Sequence, residues 1–312
     1  MALCLKKLLS FSQMTIRWGI VTAGKISHDF VNAINSYPEK GDMVVAAVAA
    51  RNKSRAEEFA KTHNIPQVFD SYQALAKLSL LRYFYVAYIG ALNIDHYELT
   101  KLFLENGKHV LCEKPLCMNF KEAQSLINFA KKKKLFLMEA VWSRFSPAYI
   151  SLEKIIQAGQ SKHMDRLRNQ KSLGGSAIMD LGIYTLQFAQ YIFKEEPIKV
   201  TSVGELNSDG VDLVDTVILQ YSGGRRAVLN VNATIKLWNK ATVVGTKGYA
   251  TVNMTSQYLR LFELYNNVTC GSNPLRLSPR LPHSESLILA KLEDTVRKQL
   301  GVHYDADDKE YP

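Results

Sequence analysis

Long apolar runs are missing. Nothing in the 312 residues approaches the roughly 20 consecutive apolar residues that a bilayer-spanning helix needs, so a helical membrane span is excluded. Cysteine is scarce, and the four present, Cys4, Cys112, Cys117 and Cys270, include no C-x-x-C pair. No histidine spacing complements them. A zinc site is therefore not expected, and the thiols read as reduced core residues of a cytoplasmic protein. Acid is the minority charge, with 29 Asp and Glu against 39 Lys and Arg and a net charge of +10. Apart from Lys131–Lys134 and Lys162–Lys171 the bases are dispersed, which describes a solvated surface and no nucleic-acid partner. A basic pocket for a phosphate-bearing cofactor is a better use of some of them.

With 47% hydrophobic and 22% charged residues the composition is that of an ordinary soluble globular protein, and the length suits two domains. The first segment, "MALCLKKLLSFSQM", is basic and amphipathic but lacks the apolar length and cleavage site of a secretory signal. Residues 1–14 read as an extension, with a mitochondrial address as the alternative to the cytoplasm, and Met1 and Met14 both remain possible starts.

From Ile16 onward strands alternate with helices. Arg17–Val21 is a short apolar strand, followed by "TAGKIS" and a helix over 27–35. "MVVAAVAA" (43–50) is a continuous apolar run, the mark of a parallel strand covered on both faces. "YFYVAYIG", "KHVLCEK" and "LFLMEA" are further strands separated by helical patterns, which implies right-handed crossovers in a doubly wound parallel sheet over residues 15–140. After Trp142 the pattern changes. "DTVILQY" and "RRAVLNVNATIKL" flank Ser-Gly-Gly, and "KATVVGTKGYATVNM" turns at Thr246-Lys247-Gly248. Val231, Ala233, Ile235 and Leu237 fall on one face of their strand, a period of two that marks an antiparallel sheet with unlike faces. Residues 141–312 are thus expected to form an α+β domain with an open antiparallel sheet, closed by a helix over about 284–300 that packs back on the first domain.

Glycine is short where a dinucleotide loop wants it. Between the first strand and first helix the G-x-G-x-x-G positions fall on Thr22, Gly24 and Ser27. The placement, a small-residue turn opening a helix, still suits a pyrophosphate. The second strand ends without the acid that would take a ribose 2′-hydroxyl. Arg51 stands there and Arg55 lies one helical turn on, a pair suited to a 2′-phosphate and hence to NADP. Glu113-Lys114-Pro115 closes an apolar strand, where α/β folds place their ligands. Asp180 and Tyr184 are four apart and share a helix face. An ammonium near Tyr184 lowers its pKa and makes a general base for alcohol oxidation. The spacing alone is equally compatible with a buried Tyr and a cap-region Asp.

"GIVTAGKIS", "AVAARNKSRAEEFA", "HVLCEKP", "FLMEAVWSRFSP" and "GGSAIMDLGIYTLQ", in this order, resemble the glucose–fructose oxidoreductase/inositol dehydrogenase (Gfo/Idh/MocA) family over about residues 15–305. Tyr at 184, where most of that family has His, together with the two arginines and "MEAVWSRF", resembles its NADP-dependent branch acting on trans-dihydrodiols and D-xylose-like sugars. The resemblance implies a Rossmann domain and an open sheet that forms a homodimer. It implies Lys114 and Tyr184 as the catalytic pair with Asp180 beside them. It places Thr22, Ala23, Gly24, Lys25, Ile26, Arg51, Arg55, His96, Glu113 and Lys114 at the NADP, and Trp142, Arg144 and Phe145 along the substrate cleft, with no metal. Against the family pattern the chain is short between 160 and 172, where a sheet strand is expected to be lost, and again around 274–283. An NADP-binding protein without catalysis, or a truncated inactive isoform, is the alternative reading.

Overall fold

The computed structural model describes residues 16–36, 43–78, 85–145, 171–235, 237, 240–246, 248–253 and 281–312. The N-terminal extension and most of the two shortened stretches lie outside them. Six strands form one parallel sheet: β1 (Ile16–Val21), β2 (Met43–Ala49), β3 (Gln67–Phe69), β4 (Tyr85–Ile89), β5 (His109–Cys112) and β6 (Leu137–Glu139), in the order β3-β2-β1-β4-β5-β6. The direction of winding reverses between β1 and β4, which opens a crevice at their carboxyl ends.

Five helices cover this sheet: α1 (Lys25–Asn35), α2 (Lys53–His63), α3 (Tyr72–Ala76), α4 (His96–Glu105) and α5 (Phe120–Lys133). Their boundaries follow local chemistry. Asn52, Ser71 and Asn119 accept backbone N–H groups as N-caps of α2, α3 and α5. Lys131, Lys132 and Lys133 end α5 where its dipole is negative. α1 begins at Lys25, two residues before the sequence placed it, because Gly24 is its N-cap.

In the second half, short 3-10 turns at Trp142–Phe145 and Lys171–Leu173 precede a π-turn, Ile178–Gly182, that runs into α6 (Ile183–Phe193). β7 (Lys199–Leu206), β8 (Asp212–Gln220) and β9 (Arg226–Asn232) form an antiparallel sheet, and β10 (Lys240–Gly245) and β11 (Gly248–Asn253) a separate hairpin. Val217, Leu219, Leu229 and Val231 are buried, whereas Val203 and Val228 are 66% and 60% exposed. The expected face does not continue past Val231 and Ala233. The Asn232 carboxamide oxygen accepts the N–H groups of Thr234 and Ile235 at 2.8 and 2.9 Å, an Asx turn that ends β9, and Ile235 is left exposed.

Helix α7 (His283–Leu300) joins the halves. On one side the Gln299 amide spans β7, accepting from Ser202 N at 2.8 Å and donating to Val200 O at 3.0 Å. On the other, Phe120 N donates to Asp294 Oδ2 at 3.0 Å, and buried Arg297 donates to Met118 O at 3.1 Å and to Asp307 Oδ2 at 2.9 Å. Two polar ends, one on each half, hold this helix in the seam.

Candidate active site

A cavity of about 1050 Å3 lies at the carboxyl ends of β1, β2, β4 and β5, with the π-turn and the start of α6 opposite. Its far end is the β1–α1 turn, where Thr22, Ala23, Gly24, Lys25 and Ile26 all line the wall. Thr22 takes φ +84°, the left-handed region that the missing first glycine would enter freely. Its Oγ1 donates to Gly90 O at 2.6 Å and its N–H to Ala49 O at 2.9 Å, which holds the strained residue between two strand ends. Gly24 has ordinary extended dihedrals, and an added Cβ would come no closer than 3.8 Å to protein atoms. Protein packing therefore does not demand this glycine, while a side chain there would stand at the wall of the cavity. Ser27 fills the third position because the facing residue has given way. A Cβ on Gly90 would fall 2.5 Å from Ser27 Oγ, so the close helix–strand approach is made by the strand end. The sequence reading missed Gly90, whose only local signal is that it follows "YVAYI".

At the outer rim Arg51 is 72% exposed and 3.8 Å from Asp95, with Arg55, Asn52 and Tyr72 beside it. The floor carries the charge pair from β5. Glu113 accepts the Tyr88 hydroxyl at 2.7 Å, and burial pushes its carboxyl up from the usual range. Lys114 Nζ donates to Asp180 O at 2.9 Å, stands 3.9 Å from Asp180 Oδ1, and lies 5.2 Å from the centroid of the Tyr184 ring. Burial pulls the Lys114 pKa down, but Tyr184, Asp180 and Glu113 more than offset this, so it stays an ammonium. Trp142 Nε1 donates to Tyr184 OH at 2.7 Å. Asn93, unremarked in the sequence, donates to Gly174 O at 2.9 Å and Asp180 Oδ1 at 3.2 Å, tying the β4 loop to the second half.

The Tyr184 pKa departs from the sequence expectation. It is raised: burial outweighs the lowering by Lys114 and by the Trp142 hydrogen bond. The ammonium, 5.2 Å from the ring centroid, offsets only part of that cost. Two other expected contacts are elsewhere. His96 is fully buried, with Nδ1 2.7 Å from Pro115 O and Nε2 3.3 Å from Ala91 O, and burial lowers its pKa; it fastens the loops under the cavity and does not line it. Arg144 does not line the cavity either. Its guanidinium pairs with Glu285 at 2.7 Å and stacks 4.4 Å from the Tyr191 ring centroid. The side chain of Phe145 lies outside the described residues. No cluster of metal-ligating side chains occurs among the described residues.

The strand order and the cavity at its switch point define a Rossmann-type nucleotide-binding fold. Residues 16–141 match the family model described as "Oxidoreductase family, NAD-binding Rossmann fold", and residues 134–251 match the GFO/IDH/MocA C-terminal domain. The trans-1,2-dihydrobenzene-1,2-diol dehydrogenase of Danio rerio is 35% identical over 339 residues, covering 94% of this chain and 99% of the relative. The human protein of the same name is 34% identical over 337 residues, with 94% and 99% covered. Both alignments are longer than the 312-residue chain, so these relatives carry residues without a counterpart here. Among solved structures, the apo scyllo-inositol dehydrogenase from Lactobacillus casei has a TM-score of 0.75 at 15% identity, covering 95% of this chain and 98% of that one. The 3-ketoreductase KijD10 from Actinomadura kijaniata, in complex with TDP-benzene and NADP, gives 0.73 at 20% identity with 91% and 97% covered. The chain belongs to the Gfo/Idh/MocA oxidoreductase family.

Proposed function

We propose that the protein is an NADP-dependent dehydrogenase that oxidises a hydroxyl-bearing carbon of a trans-dihydrodiol or a D-xylose-like sugar. The observation that carries this reading is the meeting of Lys114 and Tyr184 in one cavity that also contains the Gly24 turn and the Arg51–Arg55 rim. The dihydrodiol class is supported by the names of the relatives.

The residues present fit the dinucleotide. The cavity lies over the first turn of α1, which has no side-chain cap at Gly24 and so leaves its N–H groups for a pyrophosphate. Arg51 and Arg55 would hold the 2′-phosphate. Bound there, NADP+ supplies the ring that accepts hydride. The chain supplies the rest. Lys114, fixed by the Asp180 carbonyl, holds the substrate hydroxyl by a charge-assisted hydrogen bond. Tyr184, ionised to the phenolate, takes the hydroxyl proton as general base. Asp180, oriented by Asn93, keeps the ammonium in place. The exposed apolar face with Val203 and Val228 supports the further reading of a homodimer.

Purified protein is expected to reduce NADP+ with trans-1,2-dihydrobenzene-1,2-diol or D-xylose, followed by nicotinamide absorbance, and to prefer NADP+ to NAD+. NADPH binding without turnover of either compound would move the assignment to a non-catalytic nucleotide-binding protein. A higher kcat/KM with NAD+ would overturn the role of the arginines.

A further inference from the structure

The indole N–H of Trp142 ends 2.7 Å from the oxygen on which the chemistry of Tyr184 depends. Both side chains are buried, at 9% and 8% exposure, and both line the cavity. An indole N–H is a donor and never an acceptor. It can therefore neither take the phenol proton nor exchange roles with it, and the hydroxyl hydrogen of Tyr184 must point elsewhere. A donor fixed on a phenol oxygen favours the ionised form over the neutral one. Lys114 favours the same form through its charge, with its Nζ bonded to Asp180 O and 5.2 Å from the ring centroid, so the hydrogen bond from Trp142 adds to it.

The tryptophan is held where this geometry requires. Trp142 N donates to Ala140 O at 2.8 Å. The next residue, Ser143, donates to Gln187 Oε1 on α6 at 3.3 Å, and Arg144 clamps Glu285 on α7 at 2.7 Å. The short turn Trp142–Phe145 is thus anchored to both α6 and α7. This explains the placement of Arg144 away from the cavity: it orients the turn that carries the indole.

We infer that Trp142 is a positioning residue for the dehydrogenase reaction, whose indole N–H holds the Tyr184 oxygen and stabilises its phenolate. The inference rests on the reading of Tyr184 as the general base. In the proton step the substrate O–H bond breaks, its electron pair stays on the substrate oxygen, and a new O–H bond forms on the Tyr184 phenolate. The Trp142 N–H remains bonded to that oxygen throughout, stronger to the phenolate than to the phenol. Burial raises the pKa of this phenol, and the Trp142 hydrogen bond works against that rise.

Trp142→Phe keeps the ring and deletes the donor. The acid limb of the pH profile of kcat/KM is expected to move up by about one pH unit, with KM for NADP+ unchanged. Ionisation of Tyr184 is read separately, as the tyrosinate absorbance difference between wild type and Tyr184→Phe and between Trp142→Phe and the double variant. It is expected to shift up by the same amount. If the protein turns over no substrate, the Proposed function fails, but this spectral arm still decides the inference. Biosynthetic replacement of tryptophan by fluorotryptophan, whose N–H is the stronger donor, leaves the fold undisturbed and is expected to shift the ionisation down. Unchanged Tyr184 ionisation in both replacements overturns the inference, as does a Tyr184 that fails to ionise in the wild type over the range where the protein stays folded.

Discussion

In β5 the consecutive residues Val110, Leu111 and Cys112 are all fully buried, whereas in β9 Leu229 and Val231 are buried and Val228 is 60% exposed. The first sheet is covered on both faces, so its polar groups gather at the strand ends, where Thr22, Arg51, Gly90 and Lys114 meet the cavity. The second sheet has an inner face and a free one. It contributes to the site from behind. Asp212, at the start of β8, accepts the N–H of Ile178 at 2.7 Å and so caps the π-turn that carries Asp180. The first half presents its chemistry at the edge of its sheet, and in the second half the sheet buttresses the turn and helix that carry Asp180 and Tyr184.

Four variants sharpen this contrast, taken from the largest expected effect downward. Tyr184→Phe removes the base contributed by the second half, and kcat is expected to fall roughly 10²–10⁴-fold while NADPH fluorescence still reports binding. Equal kcat in the variant would leave all the chemistry on the parallel sheet. Arg297→Met breaks the seam between the halves. The guanidinium is 2% exposed and bonded to the half-buried Asp294 and Asp307, so its loss leaves two carboxylates without their partner and should cost about 3 kcal/mol in urea unfolding. Leu219→Ala on the inner face of β8, where the residue is fully buried, is expected to cost about 2–3 kcal/mol, against less than about 0.5 kcal/mol for Val228→Ala on the outer face. Equal costs at the two positions would mean that the outer face is covered in solution.

The buried acids of β8, Asp212 and Asp215, give a pH test. Burial, and then the neighbouring Asp212, push the Asp215 pKa up to about 9 from an ordinary 3.8. Between those values the folded protein binds a proton that the unfolded chain releases. The stability this group contributes is complete below about pH 4 and is lost as pH rises toward 9. Asp215→Asn, which mimics the protonated acid, should flatten the fall in urea midpoint between neutral and alkaline pH. A parallel fall in both proteins would show that Asp215 is ionised in the native state.

Much of this was legible in the chain because it is local. The apolar runs gave the parallel strands, Gly24 gave the turn, and the four-residue spacing brought Asp180 and Tyr184 into the same cavity. What escaped is made of long-range pairs. Thr22 depends on Gly90, Asn93 on Asp180 and Trp142 on Tyr184, and no window of sequence holds both members of any of them. His96 and Arg144 were placed by resemblance alone, and their burial among carbonyls and Glu285 had no local signature. Ile235 failed for a local reason of another kind: alternation continued on paper while the Asn232 side chain had already turned the chain.

The ammonium at the end of β5 is assigned to the substrate in the cavity and not merely to propping the π-turn. Turnover and NADPH affinity measured on the same preparation of Lys114→Met test this most directly. Loss of NADP+ reduction with affinity for NADPH retained is the predicted result, and a variant that reduces NADP+ at the wild-type rate would contradict it.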